Sequence, residues 1–277
     1  MGLRIGTNVQ SLAAQRSLNG IRAQQDKSME KLSSGQRINH ASDDAAGLAI
    51  SEKLKADIRG TRQATRNAGD GISMIQTAEG GLNEVSNILV RLRELSVQSA
   101  SDTIGDSERK FSDLEFQNLV SEVDRISSST KFNEKSLLSG EDGVIDFQIG
   151  TGNDEKNDRL AYDASATNAS AEKVGIAGLT VASKQSSQEC LSKIDDAINM
   201  ISGSRAGLGA MQNRLSSTIS NLEVKTENLS SANSRIRDTD VAEESASLAR
   251  ANILTASSTS VLAQANNSQG AALKLIG

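Results

Sequence analysis

Proline is absent from all 277 residues, where average usage of about 5% would place about 14. A proline inside a helix removes a hydrogen bond and clashes with the preceding turn, costing about 3 kcal/mol, so its exclusion points to a chain made mainly of long helices. Aromatics are nearly missing too, at 2% with no Trp and one Tyr. A thick globular core filled by rings is thereby excluded, leaving thin aliphatic layers of the kind that join packed helices. One cysteine, Cys190, cannot make an internal disulfide, and it reads as a small buried apolar residue. No apolar run reaches 18 residues, so no membrane-inserting segment is expected. The formal charge of −5, without a basic block interleaved with aromatics, excludes nucleic acid as a partner. The amino terminus, Met1 to Gln10, lacks the charged head and apolar middle of a cleavable signal peptide.

What is present is heptad spacing. Ile194, Ile201, Leu208, Leu215, Leu222, Leu229 and Ile236 recur every seven residues without interruption. Leu191, Ile198, Met211 and Ile219 fall three or four residues away from members of that line, as a coiled-coil seam requires. At 1.5 Å per residue the seam predicts a helix about 65 Å long. A matching stripe runs through Ile50, Leu54, Ile58, Ala68, Ile72, Ile75, Leu82, Val85, Leu89 and Leu92. Phe111, Leu114, Leu119, Val123 and Ile126 suggest the apolar face of a third helix, after a polar turn broken by Gly105.

Between Asn133 and about Ser183 the helical period disappears. Val144, Asp146 and Gln148 alternate with Ile145, Phe147 and Ile149, and Gly150, Gly152 and Asn153 separate them from Leu160 and Tyr162, which predicts a β-hairpin. The chain ends carry single amphipathic stripes: Ile5, Val9, Leu12, Leu18, Ile21, Met29 and Leu32 in front, and Val241, Leu248, Leu254 and Val261 behind. Such stripes bury little area alone, so these arms should gain stability only against each other or against neighbouring subunits. Ser42 is the expected cap of the long helix, with Asp43 and Asp44 at its positive end, and Asp240 with Glu243 has capping-box-like spacing for the last helix.

The expected fold class is therefore mainly α: an elongated helical hairpin or coiled-coil bundle with a small β-hairpin region and terminal α-helical arms. Its divisions are 1–42 (arm), 43–132 (rod helices), 133–183 (hairpin region), 184–236 (return helix) and 237–277 (arm). Chemistry is poorly represented. Asp43 and Asp44 are accounted for by capping, and the single histidine, His40, has no companion for a metal site. Gly203 to Gly209 lacks the lysine and spacing of a phosphate loop. Lys53 to Arg59 and Arg62 to Arg66 read as a solvated helix face, with subunit contacts as the alternative. No catalytic, cofactor or metal site is expected.

Several stretches carry a specific resemblance. Lys31-Leu-Ser-Ser-Gly-Gln-Arg-Ile-Asn39 and Ala41-Ser-Asp-Asp-Ala-Ala-Gly-Leu-Ala-Ile50 closely resemble the amino-terminal signature of bacterial flagellins. Asn233-Ser-Arg-Ile-Arg-Asp-Thr-Asp240 and Ser260-Val-Leu-Ala-Gln-Ala-Asn266 look like the carboxy-terminal one. The resemblance covers roughly residues 1 to 140 and 185 to 277 and leaves a short middle, as in a minimal flagellin. It implies a structural subunit that self-polymerises into the flagellar filament for swimming motility, its paired arms lining an inner tube. It further implies an extracellular location reached by type III export without signal cleavage. The implied partners are identical subunits, an export chaperone, the filament cap, hook-junction proteins and an animal Toll-like receptor meeting a patch at Arg91, Leu95 and Glu115. A hook–filament junction protein, which shares such ends, and a cytoplasmic coiled-coil adaptor are the alternatives; the unbroken Lys31 to Ile50 stretch favours flagellin.

Overall fold

The computed structural model describes residues 7–141 and 143–273. Long helices dominate: α1 (Val9–Ser34), α2 (Ala45–Ser99), α3 (Asp106–Ser129), α5 (Lys184–Arg237) and α6 (Val241–Leu273), with a four-residue α4 (Ala171–Val174). Two small hairpins lie between α3 and α4: β1 (Lys131–Phe132) with β2 (Lys135–Ser136), and β3 (Val144–Gln148) with β4 (Arg159–Asp163). The chain divides into two compact units, Met1–Ala56 with Asn228–Gly277, and Asp57–Glu227.

In the unit of residues 57–227, α2 and α5 run antiparallel, since Arg93 meets Asp195 at 2.7 Å while the Gly71 backbone passes against Leu215. A methyl group on Gly71 would lie 3.3 Å from Leu215 and 3.2 Å from Phe147, so a side chain there would push on both. The seam residues Ile194, Ile201, Leu208, Leu215 and Leu222 are all buried, as are Ala68, Ile75, Leu82, Val85, Leu89 and Leu92 opposite. Leu229 and Ile236, the last two members of the seven-residue line, belong to the other unit and are half-buried. Ile50, which starts the sequence stripe, is exposed.

The later members of the expected stripe on the third helix, Leu119, Val123 and Ile126, pack against the core, whereas the first two do not. Phe111 and Leu114 are 75% and 66% exposed, while Arg109, Phe116, Val120, Val123 and Ser127 are buried. The inward positions are spaced 7, 4, 3 and 4, so the period is helical but the phase is set by packing against α2. Arg109 explains the shift at the helix start. Its guanidinium donates to the carbonyl oxygens of Ser99 and Ser101 and to Asp106, closing the carbonyl end of α2 that the helix itself leaves open.

The β3–β4 hairpin pairs Ile145 with Tyr162 and Phe147 with Leu160, turning Ile145, Leu160 and Tyr162 into the core. The Tyr162 hydroxyl donates to the Leu137 carbonyl at 3.0 Å, and burial holds the phenol above its ordinary pKa. Irregular chain from 137 to 183 is held by polar contacts to α3: Ser127 Oγ donates to Leu138 O, Asp124 accepts from Ala171 N, and Asp113 accepts from Val181 N and Thr180 Oγ1. The β1–β2 turn has no counterpart in the sequence reading. Asn133 and Glu134 sit in it at φ 47° and 69°, the left-handed pair that a two-residue hairpin demands.

The long helix also begins later than its expected cap. Asp44, not Ser42, precedes α2 and accepts from the Gly47 amide at 2.8 Å, while Asp43 turns back to accept from the amides of Asn39 and His40. With three polar residues in succession, the one that caps is decided by where the incoming linker is tied.

Leu89→Ala should lower unfolding stability by about 2–5 kcal/mol, whereas Phe111→Ala should change it by less than about 0.5 kcal/mol; urea unfolding of both reads the contrast. Glu134→Gly relieves a left-handed residue with an exposed side chain, and should raise stability by about 1 kcal/mol in the same assay.

Candidate functional site

The unit of residues 1–56 and 228–277 is built on α1 and α6. They run antiparallel: Asn8 Nδ2 donates to Ala265 O, Ser11 Oγ to Asn266 Oδ1, Gln25 Nε2 to Asn252 Oδ1, and Lys31 lies 3.6 Å from Glu244. Asn8 also caps α1 by accepting from the Ser11 amide. Residues turned towards the partner helix recur at coiled-coil spacing: Ser11, Ala14, Leu18, Ile21, Gln25, Ser28 and Leu32 on α1, and Glu244, Leu248, Ala251, Thr255, Ser258, Leu262 and Ala265 on α6. Only five of those fourteen are large aliphatics.

The larger apolar load is on the outside. Val9, Leu12, Met29, Ile253, Leu254 and Val261 are all exposed, Val9 at 65%. Of the arm residues singled out in the sequence, Leu18 is buried, Ile21, Leu32 and Leu248 are half-buried in the seam, and Val9, Leu12, Met29, Leu254 and Val261 face outward; Ile5 lies outside the described residues. A coiled-coil pair ordinarily hides its large apolar residues and shows its polar ones. Here several large apolar residues also lie outside the seam, among mostly polar exposed neighbours.

At the base of the pair, α1 ends on Gly35 in the left-handed conformation, φ 70°, and residues 35–39 run beside 236–239. The Arg37 amide donates to Arg237 O at 2.7 Å, the Thr239 amide to Gly35 O at 3.1 Å, and Gln36 bridges Asp238 in antiparallel fashion. Arg237 donates to Gln36 Oε1 at 2.9 Å and to Glu52 at 2.5 Å. Asp240 caps α6, accepting from the amides of Ala242 and Glu243. None of these long-range contacts has a local sequence signal apart from the cap.

Elsewhere, Arg91 and Glu115 form an exposed ion pair at 2.9 Å, with Glu94 also on Arg91. Leu95 does not join them. It is 2% exposed, inside the core, because the inward phase of α2 passes through 85, 89, 92 and 95; the expected receptor patch therefore loses its apolar member. His40 meets Glu30 at 2.8 Å on the surface, and Cys190 is buried with its thiol pKa pushed up by desolvation. Among the described residues, no group of three or more His, Cys, Asp or Glu is placed to hold a metal, and no helix is long and apolar enough to cross a membrane.

Long packed helices, a paired set of terminal helices and a small hairpin region define a structural helical protein. The bacterial flagellin N-terminal helical region matches residues 5–142, and the C-terminal helical region matches residues 191–276. The flagellin of Halalkalibacterium halodurans is 44% identical over 98% of this chain and 99% of its own length. The 33 kDa flagellar filament core protein of Treponema phagedenis is 40% identical at the same coverage. Bacillus cereus flagellin has a solved structure that superposes with a TM-score of 0.51 at 27% identity, over 57% of this chain and 88% of that one. The chain belongs to the bacterial flagellin family: it is a short member, a filament subunit of the flagellum, and not an enzyme.

The hydrogen bond from Arg237 holds the Glu52 carboxyl below its ordinary pKa. A depressed carboxylate contributes stability above its unfolded pKa and loses it as pH falls through the folded one. The melting difference between the parent and Glu52→Gln should thus be present at pH 7 and close below about pH 4, as followed by thermal melts across that range.

Proposed function

We propose that the outward apolar face of the α1–α6 pair, with Val9, Leu12, Met29, Leu254 and Val261, is the adhesive surface through which identical subunits pack into the filament, the paired arms forming its inner tube. The carrying observation is the exposure of large apolar residues on the arm pair. Burying these five side chains is worth on the order of 10 kcal/mol before association costs. The seam Ile194 to Ile236 keeps the remaining helices straight and paired, and the divisions 1–42, 43–132, 133–183, 184–236 and 237–277 become arm, rod, hairpin region, return helix and arm. Heterologous contacts between identical chains that do not close into a ring generate an open helical polymer.

Export without a cleaved signal, an export chaperone, a filament cap and hook-junction proteins are further parts of this proposal, supported by family membership. For an animal Toll-like receptor the surface on offer is the exposed Arg91–Glu115 pair with Glu94, without Leu95.

A Leu12→Glu and Val261→Glu double variant should keep parental helix content, because both side chains are already exposed, and should elongate on filament seeds at least tenfold more slowly. Negative-stain electron microscopy with a sedimentation assay reads both. Parental elongation by that variant would sink the adhesive-face reading, and short rings from the parent chain would point to a junction protein instead.

A further inference from the structure

The seam between α1 and α6 poses a register problem. Its inward positions repeat every seven residues and are mostly small or polar, with Leu18, Ile21 and Leu32 the large aliphatics of α1. Sliding one helix by a heptad would cost the contacts of those three and the polar contacts between the helices. Few large aliphatics hold the register here, so polar contacts along the pair and at its base carry much of it.

We infer that Arg237 is a positioning residue that fixes the register of the arm pair, by pinning the two linkers at its base to each other and to the first turns of α2. The inference rests on the reading that the arms carry assembly. The two linkers are some 200 residues apart in sequence, yet they form a short ladder: Arg37 N to Arg237 O, Thr239 N to Gly35 O, and the Gln36–Asp238 bridge. Arg37 Nη2 adds a bond to Ile236 O at 2.8 Å. The Arg237 side chain is only 16% exposed, and its fork spends Nε on Gln36 and Nη1 on Glu52. A single planar group thus ties Gln36, two residues past α1, to the start of α2 and the end of α5. A lysine could satisfy one of these acceptors as a point charge, but not both in one plane. Lys55, 3.7 Å from Glu52 and itself exposed, neighbours the pair without replacing it.

At the far end of the pair, Asn8 to Ala265 and Ser11 to Asn266 complete the bracket. Gln25 to Asn252 and Lys31 to Glu244 add to these, and together the polar contacts make one register distinguishable from the next without making the pair strongly self-sufficient. An arm pair built this way presents its outer residues in a set order to a neighbouring subunit.

The test uses the full-length chain. Hydrogen exchange of the unassembled protein is measured at the Arg37 and Thr239 amides, and elongation is measured on seeds of parental filament. Arg237→Ala should raise exchange at both amides at least tenfold, leave exchange at core amides such as Leu89 unchanged, and slow elongation at least tenfold. Arg237→Lys should recover only part of either quantity. The exchange of charges, Arg237→Glu with Glu52→Arg, should restore both towards parental values, since the Gln36 amide can donate to a carboxylate as readily as it accepts from an arginine. Equal exchange in parent and Arg237→Ala overturns the inference, and so does parental elongation by Arg237→Ala or failure of the charge exchange to rescue. If the parent itself does not elongate, the adhesive-face reading fails, and the exchange comparison alone still decides the role of Arg237.

Discussion

Thin layers of small aliphatic side chains, repeated every seven residues, carry the fold of residues 57–227. Ile194, Ile201, Leu208 and Leu215 meet Ile75, Leu82, Leu89 and Leu92 in a core that contains few rings, Phe116 and Tyr162 being its bulkiest fully buried members. Such a core is narrow, so each layer depends on helices that neither kink nor rotate. The absence of proline serves the first requirement. Polar pins serve the second: Arg93 on Asp195 between α2 and α5, Arg109 over the carbonyl end of α2, and Asp113 and Asp124 drawing the irregular chain onto α3.

The terminal unit solves a different problem with the same spacing. There the seam is mostly small and polar, with five large aliphatics, and other large apolar residues face out. A pair of helices arranged this way leaves apolar area that becomes stabilising only when another surface covers it. The polar contacts at the two ends of the pair fit that role, since they choose an arrangement at little gain in stability. The stretches that resemble flagellins most specifically, Lys31 to Ile50 and Asn233 to Asp240, include the two linkers of the ladder and the Arg237 fork. Their chemistry is that of a joint: a left-handed glycine, a short backbone ladder, a helix cap at Asp44 and another at Asp240.

The sequence by itself determined the helical class, the α5 seam, the position and strand pairing of the β3–β4 hairpin and the Asp240 cap. These follow from spacing, from missing residue types and from turn residues, all of which act within a few positions along the chain. Only the tertiary structure decided which way each helix faces. Periodicity reports an interval and says nothing of phase when apolar residues lie on two sides, so Phe111 and Leu114 point outward while Phe116 and Val120 point in, and Leu95 falls in the core rather than beside Arg91. Tertiary structure also chose Asp44 over Ser42, placed Val9, Leu12 and Val261 outside a seam that Leu18 enters, and brought Arg237 to Gln36 and Glu52. Those outcomes turn on contacts between residues up to 257 positions apart, and the geometry of such contacts exists only once the chain has folded back on itself.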